Sequence, residues 1–128
     1  MNLTHTCIVT ENVERLCSFY QDLLQIEPQI YGEDYVEFIT ERGILSLYSL
    51  TGQELLAPGS ITPASNHSVM LAFQVDDVDK EYQRLQEMKI EWVKSLTTQP
   101  WGERFTYFRD PDGNLISFYS LVQSPPSS

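Results

Sequence analysis

The spacing of apolar and polar residues along this chain changes several times, and each change predicts an element. Leu3 to Val9 (LTHTCIV) is short and rich in β-formers, as a strand is. Val13, Leu16, Tyr20, Leu23 and Leu24 then fall on one stripe at helical spacing, so the pattern predicts a helix capped by Asn12 and running through Leu24. Strands follow at Pro28–Tyr31, Tyr35–Thr40 and Gly43–Ser49, separated by the turns GED and ER. From Thr51 to Asn66 periodicity lapses and Gly, Pro and Ser collect, the signature of a connector.

The same order then returns. Ser68–Val75 is a predicted strand, and Asp76 or Asp77 can cap a helix with Val78, Tyr82, Leu85 and Met88 on one face. Strands are predicted at Trp92–Thr97, Arg104–Arg109 and Leu115–Leu121. HTCIVTENVERLCSFYQDLLQIEP and MLAFQVDDVDKEYQRLQEMKIEWV match in pattern at an offset of 65 residues, and GILSLYS and NLISFYS at 71. The expected class is therefore α+β, with two βαβββ modules at 1–50 and 67–122, a connector at 51–66 and a Pro- and Ser-rich tail at 123–128 that should be disordered. Neither module can bury a sheet face alone, so one compact domain with a shared core is expected.

In DPDGN, Pro111 presets the first turn angle, Asp112 suits the second and Gly113 can take the left-handed conformation that closes a hairpin. Along the strand that follows, Ile116 and Phe118 should point under a helix, while Leu115, Ser117 and Tyr119 point the other way. The first module repeats this division, with Leu45 and Leu47 against Ile44, Ser46 and Tyr48. One face of each sheet is thus apolar, and the other carries Ser and Tyr in both copies.

Composition narrows the functional classes. With 128 residues, 41% apolar and 20% charged, the chain can bury about two thirds of its unfolded surface. Eighteen Asp and Glu against eight Lys and Arg give a net charge of −10, which repels phosphate backbones and anionic membranes and attracts cations. Nucleic acid and membrane are therefore not expected partners. Cys7 and Cys17 lack metal-ligand spacing and read as buried thiols of a reducing compartment. The first residues lack the features of a signal peptide, so a cytoplasmic location is expected.

The paired modules, the FYQDLL helix and the FRDPDGNLISF hairpin resemble the vicinal oxygen chelate superfamily of glyoxalases, dioxygenases and bleomycin-resistance proteins. QPWGERFTYFRDPDGNLISF is most similar to the matching segment of bleomycin-resistance proteins. The resemblance implies curled mixed sheets that form a cleft, in a homodimer. It also implies a divalent cation in the enzymes, held from the first and last strands of each module. Those positions fall here on His5, Ser46, Met70 and Ser117. One imidazole, two hydroxyls and a thioether make a poor set for a hard cation, so no metal or other cofactor is expected. His67 lies three residues before Met70 and would point to the opposite side of a strand. Glu37 and Glu41 are possible substitutes but match none of the expected ligand positions.

A cleft without a metal would be lined by His5, Ser46, Tyr48, Met70, Ser117 and Tyr119, with Trp101 and Tyr107 near its rim. Aromatic rings beside hydroxyls suit a planar organic molecule, and a cationic one would gain from the acidic field and from ring faces. The expected function is metal-independent binding of such a molecule, in the manner of drug sequestration by bleomycin-resistance proteins, with no catalytic residue assigned. The alternative is a lyase or dioxygenase of the glyoxalase type using Zn, Ni, Mn or Fe. Trp92 is expected in the core, and Arg104 in an ion pair across the hairpin rather than on an anionic ligand.

Overall fold

A computed structural model describes residues 1–122 of the chain, and the tail at 123–128 lies outside the described residues. The chain divides into two units, Met1–Asn66 and His67–Ser128. The connector residues therefore belong with the first.

The first unit comprises β1 (His5–Thr10), α1 (Val13–Leu24), β2 (Gln29–Tyr31), β3 (Tyr35–Ile39), β4 (Ile44–Ser49) and α2 (Leu50–Leu56). Its sheet order is β1-β4-β3-β2, with β1 parallel to β4 and the other pairs antiparallel. The second unit comprises β5 (Met70–Gln74), α3 (Val78–Leu85), β6 (Glu91–Thr98), β7 (Glu103–Arg109) and β8 (Leu115–Leu121). Its sheet repeats the arrangement as β5-β8-β7-β6, with β5 parallel to β8. Each is a mixed four-stranded sheet with helices, an α+β architecture.

Helix α1 starts where the sequence places it, because the Asn12 side chain accepts the Arg15 backbone N–H at 3.0 Å. Its stripe Leu16, Tyr20 and Leu23 is fully buried, as are Phe38 and Leu47 of the sheet, and Tyr20 meets Phe38 at 6.3 Å between ring centroids. Fully burying such a side chain contributes about 1.5–3 kcal/mol. In the second unit Asp77 caps α3 through the Lys80 N–H, and Val78 and Leu85 are buried. The helix ends at Leu85 rather than reaching Met88, since Gln86, Glu87 and Met88 donate to carbonyls three residues back in a tighter turn. Under α3, ring contacts run from Tyr82 through Trp92, Phe108 and Phe118 to Phe73, with successive centroids 5.0, 5.5, 5.4 and 5.8 Å apart. Trp92 is thus part of the packing beneath the helix.

The DPDGN hairpin forms as its residues require. Gly113 has φ +84° and donates its N–H to the Asp110 carbonyl at 2.9 Å. The buried Asp110 carboxylate also accepts the backbone N–H groups of Asp112 and Asn114 and the Asn114 amide.

One element departs from the sequence reading. The start of the connector is helical: α2 is capped by Ser49, whose hydroxyl accepts the Gly52 N–H at 2.9 Å and donates to Asp34 at 2.7 Å. The cap and the packing of Gly52 under Tyr48 outweigh the helix-breaking composition of this stretch. No helix among the described residues is long and apolar enough to cross a membrane.

Candidate functional site

Alternation along β1, β3 and β4 sends one set of side chains under α1 and the other to the opposite, outer face of the first sheet. Strand register sorts the outer set into rows. Cys7, Ser46, Glu37 and Gln29 form one row across the four strands, and Val9, Tyr48, Tyr35 and Tyr31 form the next. His5 stands on the same face, two residues before Cys7, which is exposed on the edge strand and not buried as expected, while Cys17 is only half-buried.

A hydrogen-bonded network connects the rows. Glu37 Oε2 accepts from the Tyr35 hydroxyl at 2.7 Å and pairs with His5 Nε2 at 3.1 Å. The other ring nitrogen of His5, Nδ1, lies 2.8 Å from the Thr4 hydroxyl. Ser46, only 1% exposed, donates to the Tyr35 hydroxyl. The hydrogen bond from Tyr35, with help from His5, holds the Glu37 carboxyl below the usual carboxylate range. Partial burial and the Glu37 carboxylate push the Tyr35 hydroxyl up. Glu37 is therefore a fixed negative charge whose side chain is 15% exposed. Its second oxygen, Oε1, has no hydrogen-bond partner among the described residues.

Aromatic rings flank this carboxylate. Tyr35 meets Tyr31 at 5.8 Å and Tyr48 edge-on at 6.0 Å. The Tyr48 ring in turn lies against Gly52 of α2, where a Cβ would stand 2.5 Å from Tyr48 Cζ. Only a glycine lets the ring lie there.

The second unit presents the corresponding face with different chemistry. Met70, Ser117, Tyr119 and Tyr107 share it, with Ser117 between Ala72 and Tyr107 in register and 2% exposed. Tyr107 packs on Phe105 with centroids 4.7 Å apart. Trp101 stands apart at the β6–β7 corner and is 70% exposed. Arg104 does pair with a carboxylate, but the partner is Asp79 of α3, through hydrogen bonds of 3.0 and 2.8 Å, and not a residue of the hairpin.

The structure thus brings His5, Ser46 and Tyr48 together in the first unit and Met70, Tyr107, Ser117 and Tyr119 in the second. It adds Glu37 and Tyr35, which sequence reasoning did not select as site residues. The signal was the alternation of Tyr35 and Glu37 with Val36 and Phe38 on β3, which puts Glu37 on the outer face.

Residues 2–118 match the sequence profile of the Glyoxalase/Bleomycin resistance protein/Dioxygenase superfamily. The chain belongs to that superfamily. Two relatives from Bacillus subtilis (strain 168) are the uncharacterized proteins YraH, 26% identical over 134 residues (95% of this chain, 100% of YraH), and YwkD, 31% identical over 127 residues (92% and 95%). The fold is similar to the crystal structure of a glyoxalase/bleomycin resistance protein/dioxygenase family enzyme from Burkholderia phytofirmans PsJN. That match has a TM-score of 0.83 at 19% identity and covers 95% of this chain and 100% of the other.

Superfamily membership makes the donor set worth testing against a divalent cation. In the first unit the expected positions hold His5, with hydrogen-bond partners at both ring nitrogens, and Ser46, buried under Tyr35. In the second they hold Met70 and Ser117. Glu37 adds one carboxylate beside His5, but among the described residues no three His, Cys, Asp or Glu side chains are grouped as a metal centre. These residues do not fit a hard cation with three protein ligands.

Proposed function

We propose that this superfamily member binds a small aromatic, cationic organic molecule on the outer face of its first sheet and sequesters it unchanged, as bleomycin-resistance proteins do with a drug. The observation that carries this reading is the Glu37 carboxylate, locked through one oxygen by Tyr35 and His5, and set beside the row Tyr31, Tyr35 and Tyr48. Charge favours the same place. Of the eight Lys and Arg only Arg15 and Arg42 lie in the first unit, against nine of the eighteen Asp and Glu, so it carries −7 of the net −10. Such a field speeds the capture of cations, and ring faces add attraction once they are bound.

The same network argues against acid–base catalysis. A general base works best with its pKa near the operating pH, whereas Glu37 is held below the carboxylate range and Tyr35 is pushed further from neutrality. The working form is read as a cytoplasmic homodimer, and light scattering on purified protein tests the dimer.

Calorimetric titration with a panel of planar aromatic cations, followed by mass spectrometry of the recovered ligand, tests the function. Saturable binding with the ligand returned intact supports it. Stoichiometric Zn, Ni, Mn or Fe in the purified protein, required for turnover of a bound compound, would replace it with the glyoxalase-type reading.

A further inference from the structure

The two oxygens of Glu37 are not equivalent, and their difference specifies the ligand's charged group. An ionised carboxylate oxygen has about two lone-pair sites. Oε2 uses both, one for the Tyr35 hydroxyl at 2.7 Å and one for His5 Nε2 at 3.1 Å. Oε1 has no hydrogen-bond partner among the described residues, and the side chain is 15% exposed. A guanidinium or amidinium gains its advantage from two parallel hydrogen bonds to both oxygens of a carboxylate, and here one is taken. A quaternary ammonium has no N–H to give. A protonated amine fits, because it is compact, delivers one N–H to Oε1 and has others to spare.

A second acceptor stands on the neighbouring strand. Gln29 on β2 is the cross-strand partner of Glu37, and its carbonyl Oε1 already accepts from Tyr31 at 3.0 Å. That contact leaves Gln29 one further lone pair on the same face. The Tyr31 and Tyr35 rings, 5.8 Å apart, supply π faces beside both acceptors.

We propose that the first unit is an amine-recognition site. The ligand's aromatic body lies along the Tyr31–Tyr35–Tyr48 row, and its primary or secondary ammonium bridges Glu37 Oε1 and Gln29 Oε1. In the second unit the position of Glu37 is held by Tyr107 and that of Tyr35 by Phe105, so each chain takes one charged group and not two. This inference rests on the binding function above and goes beyond it by naming the ligand's functional group.

The test uses four naphthyl-alkyl probes of equal length, ending in a primary amine, a trimethylammonium, a guanidine or a neutral alcohol. Each is titrated at pH 7 into the wild-type chain, Glu37→Gln and Gln29→Leu. A charge-assisted hydrogen bond predicts that the amine binds about tenfold more tightly than each of the other three. Glu37→Gln should erase that preference, and Gln29→Leu should reduce it by about threefold. Circular dichroism confirms that the variants fold, and the ranking on the wild-type chain does not depend on any variant. Equal affinity for the guanidine or the trimethylammonium overturns the amine assignment while leaving aromatic binding intact. So does a preference that survives Glu37→Gln. Failure of all four probes to bind overturns both.

Discussion

The two units are built alike under their helices and unlike on their outer faces. Phe38 and Phe108 occupy matching positions, opposite Leu45 and Ile116, and all four lie in the buried layer. On the outer faces only Ser46 and Ser117, and Tyr48 and Tyr119, agree. His5 is matched by Met70, Cys7 by Ala72, Tyr35 by Phe105 and Glu37 by Tyr107. Each exchange removes a titratable side chain or moves its hydroxyl. A duplicated framework that keeps its core and changes half of its polar face leaves the His5–Glu37–Tyr35 network in one copy alone among the described residues. The imbalance of −7 in one unit and −3 in the other follows the same division.

The largest effects should fall where the units agree. Phe38→Ala and Phe108→Ala each remove a fully buried ring, and each should cost about 3–5 kcal/mol in chemical denaturation. A loss below 1 kcal/mol in one alone would mean that the two cores are not equivalent. The hairpin turns come next and separate the copies. Asp110→Ala deprives the buried Asn114 N–H and the half-buried Asp112 N–H of this acceptor, at a cost of about 1–3 kcal/mol. In the first unit Thr40 does a smaller version of this work, accepting the Gly43 N–H and donating to the Gly43 carbonyl, and Thr40→Ala should cost about 1 kcal/mol. Equal losses in the two turns would remove this distinction.

What could be read in the sequence divides along the same line. Patterns local to one element were legible: the Asn12 and Asp77 caps, the buried stripe of α1, the DPDGN turn and the outward direction of Ser46 and Ser117. Each depends on the residue's own backbone periodicity. Glu37 lies outside the first and last strands, so the sequence pattern gives it no site role. Its role depends on cross-strand register, which places it between Ser46 and Gln29, and on side-chain contacts with Tyr35 and His5. Helix α2 is hidden in the sequence for a related reason. Its Gly52 reads as a breaker in sequence, yet it is needed because the Tyr48 ring occupies the space where a Cβ would be. Tertiary contact overrides propensity there.

Gly52→Ala tests that contact. The added methyl would meet Tyr48 Cζ at 2.5 Å and its hydroxyl oxygen at 2.6 Å, so the ring must swing away. Alanine favours the helix by about 1 kcal/mol over glycine, which offsets the displacement. Stability should stay within about 1 kcal/mol of wild type while Tyr48 loses its edge contact with Tyr35, visible in aromatic NMR cross-peaks. An unmoved ring would mean that the backbone of α2 yields instead.

The smallest effect is also the most specific to the first unit. Glu37 titrates below its ordinary 4.5, chiefly through the hydrogen bond from Tyr35 and then through His5. A carboxyl lowered in the folded chain contributes stability above the unfolded pKa, and that contribution is lost as pH falls through the folded value. The network should therefore persist at pH 4.5 and dissolve only in more acid solution. Tyr35, raised from 10.0, keeps its proton and its bond to Glu37 past the usual tyrosine range on the alkaline side. Carboxyl-carbon NMR follows Glu37 directly. Tyr35→Phe should return its midpoint toward 4.5, because the hydroxyl's hydrogen bond is the largest single cause, and His5→Gln should move it the same way. Tyr107 stands at the matching place in the second unit, which therefore has no carboxylate there. A larger effect from His5→Gln would make the imidazole, and not the row of tyrosines, the group that fixes the charge.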